Sequence, residues 1–516
     1  MRISLRVLQA GAIAVVVAVS TFHAFELDRF FIAKELVLHV AAVLGALFAW
    51  RGLRDLEMTR LDWLLAAFLG LSALSALFAT NRWLGLRGLT ISVSSVLILW
   101  AARTHRRALV GALAFAVIVA AVTSLLQTYG LDIELFSENR APGGTLGNRN
   151  FIAHVAAFGL PLLLFLTITA QRRRTLLWNA IGTALVTASL VITRSRAAWL
   201  AFAAMLIVLL FALLSSRTLR RDGRTWRRLG FTIVVAVIAT GAVLALPNAL
   251  HWRSKNPYLE SIHKVADYSG GSGKGRLIQY ERTLGLAVRH PLFGVGPGNW
   301  AVEYPARVPA GDPSMNESDP GMTMNPWPSS DWVAFLAERG PLATILLGLF
   351  FLGVIRLALG QLFSAPDADT ALAAVALLGV IAGALVSGLF DAVLMTAVPA
   401  YIVFASIGAL LTVAPIPRVA PAILPPKPPD TLLILALILI SAAGAYRSAS
   451  QLMAMDLYTT ARTRAQLEHG SQLDPGNFRL HLRLARGGKT RCDHALAAHA
   501  LYPAAQVAKQ LARGCR

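Results

Sequence analysis

The 516-residue chain is 56% hydrophobic and only 15% charged, with a mean hydropathy of +0.60. So little charge cannot cover a water-exposed surface, which excludes a soluble globular protein and leaves an exterior facing lipid. The net charge of +21 comes from basic residues clustered between apolar stretches, a positive-inside pattern that calls for no nucleic acid partner.

The apolar runs predict an all-α, polytopic membrane protein with about thirteen transmembrane helices. They lie near 5–23, 31–50, 61–79, 87–102, 108–127, 149–170, 176–193, 197–214, 229–247, 332–357, 370–390, 394–413 and 430–446. The first run could be a signal sequence, but Ser20 to Phe25 offers no small-x-small cleavage site, so a retained helix is expected. Basic clusters at Arg2 and Arg6, Arg51 to Arg60, Arg103 to Arg107, Arg172 to Arg174 and Arg217 to Arg228 then fall on one side, the cytoplasm. The loop 128–148, the turn Thr193 to Arg196 and the segment 248–331 face the periplasm, and the Pro-rich linker 414–429 is cytoplasmic. The expected organisation is a first bundle of about nine spans (1–247), a large periplasmic loop (248–331), a second membrane part of about four spans (332–446) and a small helical periplasmic tail (447–516).

The large loop contains a Gly-rich turn, 270–275, followed by a helical pattern from Arg276 to Val288. Leu277, Tyr280, Leu284 and Val288 share one face of that helix, which can rest on the outer membrane-facing surface. The turn lacks the Lys-Ser/Thr ending of a phosphate loop, so it is not read as a nucleotide site. Gly294-Val295-Gly296-Pro297-Gly298 stops the helix, and the stretch 309–329 reads as a flexible or ligand-covering loop. The tail shows short amphipathic helices near 449–469, 477–487 and 493–511, with Leu473 to Asn477 as a helix-turn-helix junction similar to a tetratricopeptide-type repeat. Cys492 and Cys515 are the only cysteines; in the periplasm they can form a disulfide, and two unpaired thiols are the alternative.

Candidate chemistry concentrates at the outer mouths of helices. Arg194 and Arg196 oppose the positive-inside bias, which suits an anionic ligand, although both can also snorkel to headgroup phosphates. Arg276 starts the loop helix beside its glycines, where its guanidinium and free amides can meet a phosphate, with Lys274 as a further cation. Arg282 lies on another face and can equally pair with Glu281 or Glu338. Asn148 and Asn150 precede a span: one can cap it while the other binds a polar substrate. His154, one turn inside, is expected as a packed neutral imidazole. Asp331 can cap its helix or activate a hydroxyl, and Glu338 follows two turns later. No pattern of metal ligands appears, so arginines would have to stabilise a leaving diphosphate.

Four places carry a resemblance: Gly147-Asn148-Arg149-Asn150, Ser195-Arg196, the run Arg276 to Trp300 with its His-Pro-Leu-Phe-Gly-Val-Gly core, and Asp331-Trp332 through Glu338-Arg339-Gly340. Over about residues 30–415 the chain resembles the O-antigen ligase and O-antigen polymerase superfamily of bacterial inner-membrane glycosyltransferases. The resemblance implies transfer of a glycan from an undecaprenyl-diphosphate carrier to a hydroxyl of lipid A core, a growing polysaccharide or a protein, on the periplasmic face and without a metal or cofactor. Arg196 and Arg276 match the family's diphosphate-binding arginines. One departure stands out: where the family usually carries His-Asn, this chain has Ser329-Ser330, which leaves Asp331, or loop residues such as Glu317 and Asp319, to activate the acceptor. A lipid-glycan transporter or an envelope-assembly scaffold is the rival reading, and the tail is expected to present a surface for an acceptor or an assembly protein, or equally to brace a lid.

Overall fold

Each long apolar run becomes a helix because, in lipid, only intrahelical hydrogen bonds satisfy the backbone. The computed structural model describes residues 2–22, 26–137, 140–252, 254, 256–263, 270–309, 311–411 and 431–515, and the expected linker 414–429 lies outside them. Among these residues the protein is all-helical apart from one isolated bridge between Met315 and Thr323.

The membrane body comprises α1 (Arg2–Val17), α2 (Glu26–Phe48), α3 (Arg60–Leu77), α4 (Arg82–Arg103), α5 (Val110–Thr128), α6 (Arg149–Thr169), α7 (Arg173–Ile192), α8 (Arg196–Ser215) and α9 (Gly223–Ala245). After the loop helix α10 (Gly271–Arg289) come α11 (Asp331–Phe363), α12 (Ala368–Phe390), α13 (Ala397–Leu410) and α14 (Thr431–Thr460). Among the described residues, eleven helices are long and apolar enough to cross a membrane. The other two expected spans, α1 and α13, have 16 and 14 residues.

Sequence signals set the helix starts. Thr59 and Asp62 form a reciprocal capping box for α3, Asn81 caps α4, and Asp222 caps α9. In the middle of the bundle α12 packs against α6, α8 and α11, while α14 packs on α2 and α4. Close approach is decided by small residues: a Cβ on Gly408 of α13 would lie 2.3 Å from the carbonyl oxygen of Leu99 on α4.

The bundle has two chemically different ends. At one end the basic clusters are tied together, His105 to Ser4 at 2.9 Å and Arg224 to Asp369. The loop and the tail meet at the other end: Asn299 of the loop and the Leu501 carbonyl of the tail both bond Asn81.

Three boundaries differ from the sequence expectation. The loop helix starts at Gly271 rather than Arg276, so the glycines form its first turn and Arg276 lies inside it. Helix α14 is continuous through 446 and 447, because no proline interrupts it before Thr460. The expected tail helix 449–469 therefore divides into the end of α14 and α15 (Arg464–Leu473), restarted by a capping box between Thr463 and Gln466. After α16 (Phe478–Leu484), the expected helix 493–511 is split into α17 (Arg491–Leu501) and α18 (Gln506–Arg513). Pro503 drives Tyr502 out of the helical region, to φ −138° and ψ 82°. Cys492 and Cys515 are disulfide-bonded across this pair.

Candidate active site

The geometry begins with a break in α11. Gly340 sits at φ 80°, and a Cβ there would lie 2.3 Å from the Leu292 carbonyl oxygen, so glycine alone fits. The glycine-rich loop docks against this break: the Val295 amide donates to the Ala337 carbonyl and the Gly296 amide to the Glu338 carbonyl, each at 2.9 Å. The fully buried Glu338 carboxylate accepts from the Gly298 amide at 2.8 Å and the Trp300 amide at 3.2 Å. Trp300 in turn donates to Thr283 of α10 at 3.0 Å. The Gly-Val-Gly-Pro-Gly-Asn-Trp and Glu-Arg-Gly motifs are thus one structural unit that fixes α10 over the end of the bundle.

Beneath α10 opens a chamber of about 340 Å³, lined by Arg276, Asn148, Asn150, Arg140, Ser329 and Asp391 among others. Asn148 caps α6 by accepting from the Asn150 amide at 3.0 Å, which leaves the Asn150 carboxamide to the chamber. Arg196, at the start of α8, donates to Ser272 at 2.9 Å, and Ser272 lines the same chamber. Three cationic side chains, Arg140, Arg276 and Arg196, therefore reach the chamber or its rim from different elements, with amides between them. That set suits a diphosphate.

Other expected site residues have protein partners. Arg194, at φ 55°, bonds Ser261 at 3.0 Å and lies over the Trp252 ring at 4.6 Å. Burial lowers its pKa, although Glu260 opposes the shift. Arg282 pairs with the fully buried Asp312, and Lys274 is exposed outside the chamber lining. Asp331 is fully buried and accepts the Val393 and Leu394 amides at 2.9 and 2.8 Å. Arg194, Arg282, Glu338 and Asp331 thus each make contacts within the protein, and Lys274 lies off the chamber lining. Ser329 lines the chamber, whereas Ser330 is turned inward to the Gly388 carbonyl at 3.1 Å. His154 is fully buried, with neither ring nitrogen partnered.

Asp391 was the residue that sequence reasoning missed. It sits in the short turn between α12 and α13, half-buried, with its carboxylate accepting only the adjacent Ala392 amide at 2.9 Å among the described contacts. The available signal was an isolated acid between two apolar runs at the same end as the arginines.

A second chamber of about 460 Å³ adjoins the first, and Met324 and Trp327 line both. Trp327 is held edge-on by Phe31 at 4.9 Å and Phe151 at 6.4 Å, so the stretch expected to be a flexible or ligand-covering loop is anchored at this residue by aromatic packing. The tail supplies one wall of this chamber.

Residues 181–348 match the family described as O-antigen ligase. That part of the chain is similar to an O-antigen ligase domain. Comparison with curated proteins found no match. The O-antigen ligase match covers Arg196, Arg276 and the coupled Glu338–Gly298 unit, and its family's work is glycan transfer in a membrane. Asn148, Asp391 and the whole tail lie outside it.

Proposed function

We propose that the protein is a periplasmic-face glycosyltransferase of the bacterial inner membrane, which moves a glycan from an undecaprenyl-diphosphate carrier to a hydroxyl acceptor. The observation that carries the reading is the first chamber, where Arg276 and Asn150 face a half-buried carboxylate, Asp391, with Arg196 at the rim. The diphosphate lies against Arg276 and Arg196, which stabilise the negative charge that develops as it leaves. The acceptor oxygen forms a bond to the anomeric carbon while the bond from that carbon to the phosphate oxygen breaks. Its electron pair leaves with the diphosphate, and the acceptor proton passes to Asp391. Asp391 thereby takes the activating role that Ser329-Ser330 leaves open. Loop residues over the chamber exclude water, which keeps the carrier from hydrolysis. No nucleotide, metal or cofactor enters this scheme.

The test is mass-resolved transfer by purified protein from defined undecaprenyl-diphosphate glycans, with lipid A core, glycan and peptide acceptors offered in parallel. Transfer to one acceptor class, lost in R276A and D391N, supports the scheme and separates ligase, polymerase and protein glycosyltransferase. Donor binding without transfer to any acceptor would move the assignment to transport or scaffolding.

A further inference from the structure

The second chamber is built partly inside the O-antigen ligase match, by Gly298, Thr323, Trp327 and Arg339, and partly by elements outside it. Its walls join α2 and α4 to the end of α14 and the tail, with Arg87, Arg339, Arg447 and Arg479 facing two carboxylates, Asp28 and Glu35. Arg87 and Glu35 neutralise each other through a forked pair, with contacts of 2.7 to 3.0 Å. The remaining balance is cationic. Arg339 and Arg447 are only 2% and 7% exposed; Arg339 donates to Ser72 and to the Gly88 carbonyl and Arg447 to Gln451, all neutral partners, and neither pairs with a carboxylate among the described contacts. Buried guanidinium groups are costly unless an anion completes them.

The rest of the lining is suited to a sugar rather than to a bare ion. Phe478 and Trp327 offer aromatic faces and Gln451 an amide group, while Asn477, whose carboxamide caps α16 and bonds Asp474, shapes the wall. Burial holds the Tyr502 hydroxyl at a pKa of about 12, so it stays a neutral donor at physiological pH. Because Met324 and Trp327 border both chambers, a ligand seated here ends beside the proposed reaction centre.

We infer that the tail-walled chamber is a binding site for an anionic saccharide, one bearing carboxylate or phosphate groups, and that Arg447 and Arg479 make the tail part of acceptor selection. This rests on the glycosyltransferase reading for the word acceptor; the binding itself does not. The closing experiment is calorimetric titration of the full protein in nanodiscs with a glucuronate-containing tetrasaccharide, a 6-phosphorylated chitotetraose and unmodified chitotetraose. At least one anionic probe should bind tenfold or more tightly than the neutral one, and the tighter of the two identifies the anion. R447Q should remove that advantage, and T323W, which puts bulk into the chamber from the loop without changing charge, should weaken binding by fivefold or more. R276A should leave saccharide binding unchanged while weakening undecaprenyl-diphosphate binding, so loss of the latter expectation alone would count against the donor site only. Equal affinity for charged and neutral probes, or full affinity retained in T323W, would overturn the inference; the second variant keeps the test open if R447Q does not fold.

Discussion

Asp331 and Leu394 are joined by a 2.8 Å hydrogen bond from the Leu394 amide to the carboxylate, and the same carboxylate holds the Val393 amide. The start of α11 thereby fixes the turn that presents Asp391. An acid that looks poised for chemistry in the sequence is the bracket for another acid that does not.

The two carboxylates should therefore separate in a mutational test. D391N should lower the transfer rate by about 10²–10⁴-fold, the usual worth of a positioned base, with an unchanged melting temperature. D331A strands two buried amides and should cost about 1–3 kcal/mol for each, seen as a lower melting temperature. A rate loss in D391N matched by equal destabilisation would remove Asp391 as the base.

Arg276 and Arg282 lie on one helix and should part in the same way. R276A should reduce transfer by about 10²–10³-fold, as for loss of one donor to a developing charge, without altering stability. R282A leaves the buried Asp312 unpaired and should destabilise by about 3 kcal/mol. Thermal melts beside single-turnover rates distinguish the two.

The break in α11 makes a prediction about the loop. G340A meets both a left-handed backbone and the Leu292 carbonyl, and should cost at least about 1–3 kcal/mol. E338Q brings an amide group against the Gly298 or Trp300 amide and should loosen the loop, read as faster hydrogen exchange at 295–300.

The tail should respond to acid. His481 and His494 meet through their Nδ1 atoms at 2.9 Å, and the Pro475 carbonyl takes the Nε2 proton of His481 at 3.0 Å. The neutral pair is matched with His494 donating, whereas a second proton would set two N–H groups face to face. Burial lowers both pKa values below 6.5, with Arg464 opposing protonation of His494 and Glu468, Asp493 and, for His481, Asp474 favouring it. A depressed histidine contributes stability that is complete above the unfolded pKa and lost as pH falls through the folded one. Tail protection against protease should thus decline as pH falls below about 6.5, and a pH-independent tail would refute the assignment.

The spans and the helical character of the loop segment around Arg276 were legible because composition and helical periodicity are local properties. The contacts of Asp331, Glu338 and Arg282 were not, since each is made with a residue that no local pattern indicates: Leu394, Trp300 and Asp312. Asp391 was hidden for the same reason, because only folding brings its turn to Asn150 and Arg276. The tail's helices were visible, but its place against α4 rests on contacts such as Asn81 with Leu501 that no sequence period encodes.

Helix α14 runs 30 residues without interruption, about 45 Å at 1.5 Å per residue, against a hydrocarbon core of roughly 30 Å. It is a strut as well as a span, and it couples the tail to the membrane body in rotation as well as in distance. One inserted residue would turn everything beyond it by about 100° and swing Arg479 and Tyr502 away from the chamber they line. The tail and the last membrane helix must therefore change together, as a single gauge whose length and phase set the width of the second chamber.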